Sequence, residues 1–201
     1  MNVPAMVAKY GLTPKGVIQV GSHHGEEHPI WMAMGIPALH FEPVQANYDK
    51  MCQFYPDAIV WKIALGDQYG AAKMYTETVN GGQSCSLLEP VRHLDILPWI
   101  KFTGEEVVNV APLDCYGFQQ ISRYNFMYVD AQGSELEIFK GGEKTIRNTI
   151  DFIFTEVNQT EVFRHCAKVD ELDRFLGSLG FVRVETDWHG GEFGDALYVK
   201  R

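Results

Sequence analysis

GVIQVGSHHG, at residues 16–25, is the stretch that decides the fold of this chain. Its first half is apolar and β-branched, which favours a short buried strand ending at Gly21. Gly21 and Gly25 then permit a tight turn in which the backbone can approach a ligand closely. A helix is predicted over residues 26–34, and the N-terminus of a helix favours anionic groups. The stretch therefore predicts a strand-to-helix turn that can hold a ligand.

Strand-like and helix-like segments alternate along the rest of the chain, which is typical of a parallel α/β sheet. We predict an open, doubly wound sheet of about seven strands, with ligands bound at the carboxyl ends of the strands. Turn-rich loops are expected at residues 78–90 and 187–193. Strands are predicted at residues 16–20, 38–42, 58–64, 71–77, 107–110, 125–130, 151–157, 181–184 and 196–199. Further helices are predicted at 44–54, at 135–148 with a break at Gly141 and Gly142, and at 170–179.

Length, charge and cysteine content limit the class of protein. The 201 residues fit one domain, and we predict an N-terminal helical segment over residues 1–14 followed by a single domain over 15–201. The formal net charge of −9 argues against nucleic acid or an anionic membrane as partner, because both favour a basic surface. No secretory leader, apolar membrane-length run or C-x-x-C pair is present in the sequence. We therefore expect a cytoplasmic protein with no membrane partner.

Glu42 ends the second predicted strand and lies 21 residues after Gly21. An acidic residue about 20 residues beyond a glycine turn of this kind can accept hydrogen bonds from ribose hydroxyls. The turn and the carboxylate together predict a site for an adenosine-type cofactor. At this point the residues leave open whether the cofactor is a nicotinamide dinucleotide or S-adenosylmethionine.

Asp130 and Glu156 each follow an apolar, β-branched strand pattern, so we expect the two carboxylates to lie side by side. Such a pair could hold a hydroxyl group and accept its proton, or could ligate a hard divalent cation. A purely structural interpretation also stays open at the first of these sites. In it, Ser134 caps the following helix and Glu135 favours the helix dipole.

Several short motifs follow one another in order along residues 15–200. They are VIQVGSHHG at 17–25, HFEP at 40–43, ALGD at 64–67, QSCSL at 83–87, LD at 113–114, YVDAQGSELE at 128–137, GG at 141–142 and GDALYV at 194–199. Together they resemble the FkbM family of methyltransferases. The resemblance implies a Rossmann-like class I methyltransferase, with a mostly parallel sheet of about seven strands, an antiparallel last strand and helices on both faces. It also implies S-adenosyl-L-methionine as cofactor and O-methylation of a hydroxyl on a small molecule or sugar.

The resemblance also assigns roles to individual residues. The loop at 21–25 would cradle the methionine part of the cofactor, Glu42 would hold the ribose, and the ALGD motif would flank the adenine. Ser84 and Ser86 belong to a loop that would close over the cofactor. The implied cofactor-binding residues are Gly21, Ser22, His23, His24, Gly25, Glu42, Ala64, Leu65, Asp67, Ser86 and Asp130.

The predicted catalytic residues are Asp130, Glu156 and His24, with one of the two carboxylates as the base that removes the hydroxyl proton. Three positions depart from the family pattern. Many members have an aspartate where this chain has Gln19, and a lysine and a glutamate where it has Tyr128 and Gln132. The neutral Gln132 weakens the case for a divalent cation, and no metal ligand is assigned.

Two other classes of function remain open on the sequence alone. A non-catalytic Rossmann-like binding module would account for the departures at Tyr128 and Gln132. The placement of Glu42 is compatible with an NAD(P)-dependent oxidoreductase, but the absence of a complete Gly-x-Gly-x-x-Gly argues against it. The acceptor is expected to be a small hydroxylated or carbohydrate molecule rather than nucleic acid. The oligomeric state is left open, with a homodimer as one option.

Overall fold

A computed structural model of the chain describes residues 2–117 and 121–201. Met1, which the predicted segment 1–14 includes, lies outside the described residues. The helices are α1 (Val3–Tyr10), α2 (His28–Ala33), α3 (Gln45–Phe54), α4 (His93–Ile96), α5 (Glu135–Gly141), α6 (Glu143–Thr149) and α7 (Val169–Ser178). The strands are β1 (Val17–Val20), β2 (Ala38–Phe41), β3 (Ile59–Trp61), β4 (Ala64–Leu65), β5 (Gly70–Glu77), β6 (Phe102–Ala111), β7 (Phe126–Val129), β8 (Phe152–Asn158), β9 (Phe181–His189) and β10 (Phe193–Lys200).

The main sheet has seven strands in the order β3-β2-β1-β7-β8-β10-β9. Strands β3, β2, β1, β7 and β8 are parallel, and β10 runs antiparallel to both of its neighbours. This confirms the prediction of a mostly parallel sheet with an antiparallel last strand. The strand order reverses on the two sides of β1, so the loop after β1 lies at the switch point where ligands bind in such sheets.

The register of the parallel strands brings the predicted site residues to one edge. Val20 of β1 lies opposite Phe41 of β2 and Val129 of β7. Gly21, Glu42 and Asp130 each follow one of these residues and therefore leave the sheet at the same level. Every side chain of β1 is buried. A shift of the strand along its neighbours would expose apolar residues, so one register is favoured.

Both faces of the sheet are covered by helices. On one face, Ile18, Met127 and Ile153 of the strands form a core with Phe139 of α5 and Leu172 of α7. The opposite face packs Val3 and Met6 of α1 and Trp31 of α2 against the strands. Among the helices of the described residues, none is long and apolar enough to cross a bilayer.

A second, three-stranded sheet has the order β4-β6-β5 and corrects one prediction. Residues 58–64 do not form one strand, because β3 ends at Trp61 and β4 pairs instead with the end of β6. Strand β6 is also far longer than the predicted strand at 107–110. Its first half alternates half-buried and exposed positions, so the apolar signal used for the prediction is absent there.

One prediction about helices is confirmed and one boundary differs. The helix predicted over residues 135–148, with a break at its glycine pair, is two helices divided at Gly142. Trp188 and His189 belong to β9, and the turn-rich segment is only residues 190–192. Cross-strand pairing of His189 with Phe193 extends the hairpin beyond what its composition indicates.

Candidate functional site

One cavity of about 420 Å³ opens at the carboxyl ends of β1, β2, β7 and β8. Of the predicted residues, those whose atoms line it are Gly21, His23, Glu42, Ala64, Leu65, Asp130 and Glu156. Ser84 also lines it. The cavity therefore contains most of the predicted cofactor residues and both predicted carboxylate bases.

The backbone of the β1 loop approaches β7 closely at Gly21. This residue has φ of +74°, and a Cβ there would lie 1.8 Å from the carbonyl oxygen of Asp130. Only glycine fits such a position. Gly25, with φ of +83°, packs against the ring of Tyr55 and ends the loop. The prediction that glycines permit a tight turn here is confirmed.

Glu42 holds the loop in place from the end of β2. Its carboxylate accepts hydrogen bonds from the backbone N–H of His23 at 2.8 Å and of Val44 at 3.0 Å, and from the side-chain amide of Asn47 at 3.4 Å. The residue is only 4% exposed, and this burial raises the pKa of the carboxyl to about 7 in spite of the hydrogen bonds. Glu42 thus joins the β1 loop to the start of α3 while lining the cavity.

An apolar part of the cavity lies beside Glu42. Ala64 and Leu65 of β4 are buried and line it together with Phe41, Ile63 and Ile138. Walls of this kind suit a flat aromatic ring, and this is the predicted position of the adenine. Asp67 is exposed and lies outside the lining.

Gln132 joins the two predicted carboxylates. Its amide donates to Asp130 Oδ1 at 2.7 Å and to Glu156 Oε2 at 3.1 Å. The residue has φ of +52°, and its carbonyl accepts a hydrogen bond from the buried Ser86 hydroxyl at 2.7 Å. Ser86 lies outside the lining, so in this structure it supports the geometry of Gln132.

The environment of these two carboxyls raises the pKa of each above its ordinary value. Crowding by protein atoms around Asp130, which still faces the open cavity, raises its pKa to about 6, with Asp195 and Glu27 contributing and Gln132 opposing. Burial, followed by repulsion from Asp130, raises the pKa of Glu156 well above its ordinary value. Two carboxyls with raised pKa values on one amide suit the transfer of a proton near neutral pH.

The helix that follows this loop is not capped by Ser134, as the alternative structural interpretation would require. Ser134 is the N-cap residue of α5, but its hydroxyl makes no hydrogen bond within the described residues. Glu135 instead turns back and accepts hydrogen bonds from the backbone N–H of Ala131 at 3.0 Å and of Gly133 at 3.2 Å. Because a carboxylate is the stronger acceptor, it replaces the hydroxyl as the group that fixes the turn. Burial raises the pKa of Glu135 to about 7.

His24 and Ser22 lie behind the cavity wall. The ring of His24 stacks on that of His23 at 3.6 Å and does not line the cavity, and burial lowers its pKa. Ser22 is fully buried and its hydroxyl lies 3.2 Å from His40 Nδ1. His23 does line the cavity, and its Nε2 lies 2.8 Å from the carbonyl oxygen of Gly81 in the neighbouring loop.

Several lining residues were missed by the sequence interpretation. Glu27 lines the cavity because Gln19, buried in β1, donates to its carboxylate at 2.7 Å. Gln19 in turn accepts from Trp31 Nε1 at 2.7 Å. No local motif links these three residues, although the apolar helix face containing Trp31 was a usable signal. Other missed lining residues are Asn47, His93 and Asp195.

A glycine loop after the first strand of a 3-2-1-7-8-10-9 sheet, with acidic side chains at the ends of the next strands, is the architecture of class I S-adenosylmethionine-dependent methyltransferases. The methyltransferase FkbM domain family matches residues 19–183, and the chain belongs to this family. The predicted family resemblance and fold class are thus confirmed.

Individual relatives are more distant. The 2-O-methyltransferase NoeI of Sinorhizobium fredii is 26% identical over 110 residues, which cover 52% of this chain and 45% of that protein. A structure of an FkbM methyltransferase from Methylobacillus flagellatus KT is 15% identical with a TM-score of 0.60, covering 92% of this chain and 43% of that chain. The chain thus matches less than half the length of either relative.

The same fold is found outside the family. The magnesium protoporphyrin IX methyltransferase (ChlM) of Synechocystis PCC 6803, solved with bound S-adenosylmethionine, is 11% identical with a TM-score of 0.56. That likeness covers 99% of this chain and 76% of that chain. At this level of identity the likeness establishes the fold alone.

Proposed function

We propose that this protein is an S-adenosylmethionine-dependent O-methyltransferase that acts on a hydroxyl group of a small molecule or sugar. The observation that carries the proposal is the meeting of Gly21, Glu42 and Asp130 at one sheet edge around one cavity. The description of NoeI as a 2-O-methyltransferase supports oxygen as the methylated atom. The acidic side chains of the cavity favour a small acceptor over nucleic acid.

The cofactor would lie along the edge from the β1 loop to β4. The Gly21 turn would hold the methionine part, Glu42 the ribose hydroxyls, and the apolar wall of Ala64 and Leu65 the adenine. Asp130 would face the amino group of the methionine part. The remaining predicted cofactor residues, whose side chains do not line the cavity, would act by shaping the loops; these are Ser22, His24, Gly25, Asp67 and Ser86.

S-adenosylmethionine supplies an electrophilic methyl group on a sulfonium sulfur, so the protein's task is mainly alignment. The acceptor oxygen attacks in line, the new O–CH3 bond forms as the S–CH3 bond breaks, and the hydroxyl proton leaves. We propose that the Asp130–Gln132–Glu156 unit receives this proton. The shared amide at 2.7 and 3.1 Å keeps both carboxyls directed to the cavity.

Calorimetric titration with S-adenosylhomocysteine tests the cofactor site. We expect binding in the wild-type chain and at least about tenfold weaker binding in Glu42→Gln, since the ribose loses a charged acceptor. Glu143→Gln, on the exposed face of α6, is a matched control expected to bind as the wild type does. Absence of heat with the wild-type chain would contradict the proposed cofactor.

Transfer of a labelled methyl group to a small-molecule cell extract tests the reaction itself. We expect labelled product from the wild-type chain and a loss of roughly 100-fold or more in Asp130→Asn, which is the usual contribution of a base. Binding of S-adenosylhomocysteine without any labelled product would instead identify a non-catalytic binding module. Binding of a reduced nicotinamide cofactor, read from its absorbance, would identify an oxidoreductase.

A further inference from the structure

The segment that follows β5 forms one wall of the cavity. It comprises residues 78–84 and is called the wall loop; its lining residues are Asn80, Gly82, Gln83 and Ser84. The wall loop contains neither helix nor strand. Its backbone groups are therefore not bonded by a regular helix or sheet, and its shape depends on other hydrogen-bonding partners.

The carboxylate of Glu77, the last residue of β5, supplies these partners. It accepts hydrogen bonds from the backbone N–H groups of Asn80 at 2.7 Å, Gly82 at 2.9 Å and Ser84 at 3.3 Å. Glu77 is only 2% exposed and does not line the cavity. Hydrogen bonds to an ionised acceptor are about twice as strong as those between neutral groups. One buried carboxylate thus anchors the backbone of the wall loop at three points.

The wall loop contacts two residues of the proposed cofactor site. The carbonyl oxygen of Gly81 accepts a hydrogen bond from His23 Nε2 at 2.8 Å. Gly82 packs on Asn47, since a Cβ on this glycine would lie 2.9 Å from Asn47 Oδ1. Asn47 in turn donates to the carboxylate of Glu42 at 3.4 Å. Both glycines lie within the stretch of backbone that the buried carboxylate anchors, so its conformation affects both contacts.

His23 has a backbone conformation that needs such support. Its φ of +49° lies in the left-handed region, which residues with a Cβ adopt rarely and at a cost. The ring makes two hydrogen-bond contacts, one from Nδ1 to Glu26 at 2.7 Å and one from Nε2 to Gly81. Only the contact with Gly81 comes from outside residues 21–27. Release of the wall loop would therefore leave the strained His23 with one support fewer.

We propose that Glu77 is a positioning residue for the proposed methyl transfer. By anchoring the wall loop, it keeps His23 and Asn47 in the places where the cofactor site needs them. The inference rests on the proposed function, because it concerns how the same cofactor site is held in shape. Glu77 acts through the wall loop and not by contact with a ligand, since it lies outside the cavity lining.

Calorimetric titration with S-adenosylhomocysteine compares the wild type with Glu77→Gln. Glutamine keeps the size of the side chain and one acceptor oxygen, but its amide group would face the N–H of Asn80. We expect at least about tenfold weaker binding. Glu171→Gln is a matched control expected to bind as the wild type does. Glu171 also accepts a backbone N–H, from Lys168 at 3.0 Å, and does not line the cavity.

A double-mutant cycle separates positioning from a merely structural role. His23→Phe keeps a ring that can stack on His24 but removes the Nε2 contact with Gly81. If Glu77 acts through that contact, the loss of affinity in the double variant will be smaller than the product of the two single losses, by at least about threefold. Losses that multiply would show that Glu77 does not act through His23, which contradicts the inference.

Hydrogen exchange of the ligand-free protein gives a readout that is independent of the cofactor. We expect the backbone amides of Asn80, Gly82 and Ser84 to exchange at least about tenfold faster in Glu77→Gln. Unchanged exchange of the amides of β1 and β7 verifies that the variant is folded. Unchanged exchange in the wall loop, or unchanged affinity for S-adenosylhomocysteine, would overturn the inference alone. Failure of the wild-type chain to bind S-adenosylhomocysteine would contradict the proposed function itself, and with it the role of Glu77.

Discussion

Gln132 is the residue through which the chemistry of the site differs from the family pattern that its sequence resembles. Its amide is neutral and donates to both Asp130 and Glu156, where a carboxylate would repel them. Charge repulsion among three carboxyls would raise their pKa values further, whereas the amide opposes the rise at Asp130. A glutamine rather than a glutamate at position 132 therefore limits the rise in the pKa of Asp130, which suits proton transfer near neutral pH.

A pH profile of methyl transfer follows from the pKa of about 6 at Asp130. The unit receives a proton only when ionised, so we expect kcat/KM for the cofactor, which reports the free enzyme, to fall as the pH is lowered through about 6. Asp130→Asn should remove this acid limb together with most of the rate. Initial rates on both sides of that pH check the expectation. A rate that stays constant through this range would contradict the assignment.

The buried carboxyl of Glu135 leads to a separate prediction about the stability of the fold. Burial raises its folded pKa to about 7, so its contribution is fully present below the ordinary value of 4.5 and is lost as the pH rises through about 7. Both backbone donors contact the same oxygen, which Gln retains. We therefore expect Glu135→Gln to be more stable than the wild type at pH 8, by on the order of 2 kcal/mol, and nearly equal to it at about pH 4.5.

Denaturant unfolding at the two pH values measures this difference. Glu143→Gln removes a charge from an exposed position and should show no such pH-dependent gain. A Glu135→Gln variant that loses stability at both pH values would show that the ionised carboxylate is needed for the turn.

At the scale of elements, the junction of α5 and α6 shows what the predicted break at the glycine pair does in the fold. A Cβ on Gly141 would lie 1.9 Å from the carbonyl oxygen of Gly66, so the helix packs directly on the backbone after β4. This contact places the apolar wall of Leu65 against Ile138. The sequence pattern showed the glycine pair, but the strand predicted over residues 58–64 stopped short of the Gly66 backbone on which the pair packs.

Two glycine variants test this packing. Gly141→Ala should destabilise the protein by roughly 3 kcal/mol or more, because the added methyl group collides with backbone. Gly177→Ala lies in α7, where nothing is within 4 Å of the added Cβ, and should stabilise it by up to about 1 kcal/mol through helix propensity. Thermal or denaturant unfolding of both variants gives the comparison. Equal effects of the two substitutions would show that the close approach is unimportant.

At the scale of the whole molecule, α1 is part of the core. Val3 and Met6 are buried against the sheet, and Lys9 and Tyr10 contact Glu185 and Val184 of β9. We therefore propose that residues 2–14 form one cooperative unit with the rest of the described chain. The sequence alone predicted them as adjoining parts.

Two methionine variants measure whether α1 unfolds together with the rest of the described chain. Met6→Ala should lower the free energy of unfolding by about 2–5 kcal/mol, as is usual for a buried methionine. Met32→Ala should change it by less than about 0.5 kcal/mol, since Met32 is 66% exposed. If Met6→Ala had no larger effect than Met32→Ala, α1 would not belong to the cooperative unit.

The sequence predicted best which residues parallel strand pairing brings to the same edge of the sheet. Gly21, Glu42 and Asp130 meet because strand ends in one register meet, and the apolar runs before them were strong. The sequence predicted poorly the contacts that depend on competition between two acceptors, or on the pairing of strands that are distant along the chain. Glu135 displaces Ser134 as the turn acceptor, and Asp195 reaches Glu156 only through the β10 pairing. The second, three-stranded sheet was missed because the first half of β6 alternates half-buried and exposed positions and has no apolar run.

Gln19 and Tyr128 are register partners on neighbouring strands. A charge introduced at either one alone would lie unpaired beside the buried ring of Trp31, at the cost of stability. A charged pair at these positions is therefore expected to be tolerated only when both residues are exchanged together. Gln19→Asp combined with Tyr128→Lys would place a lysine, paired with its carboxylate across the two strands, in the part of the cavity wall that Tyr128 now forms.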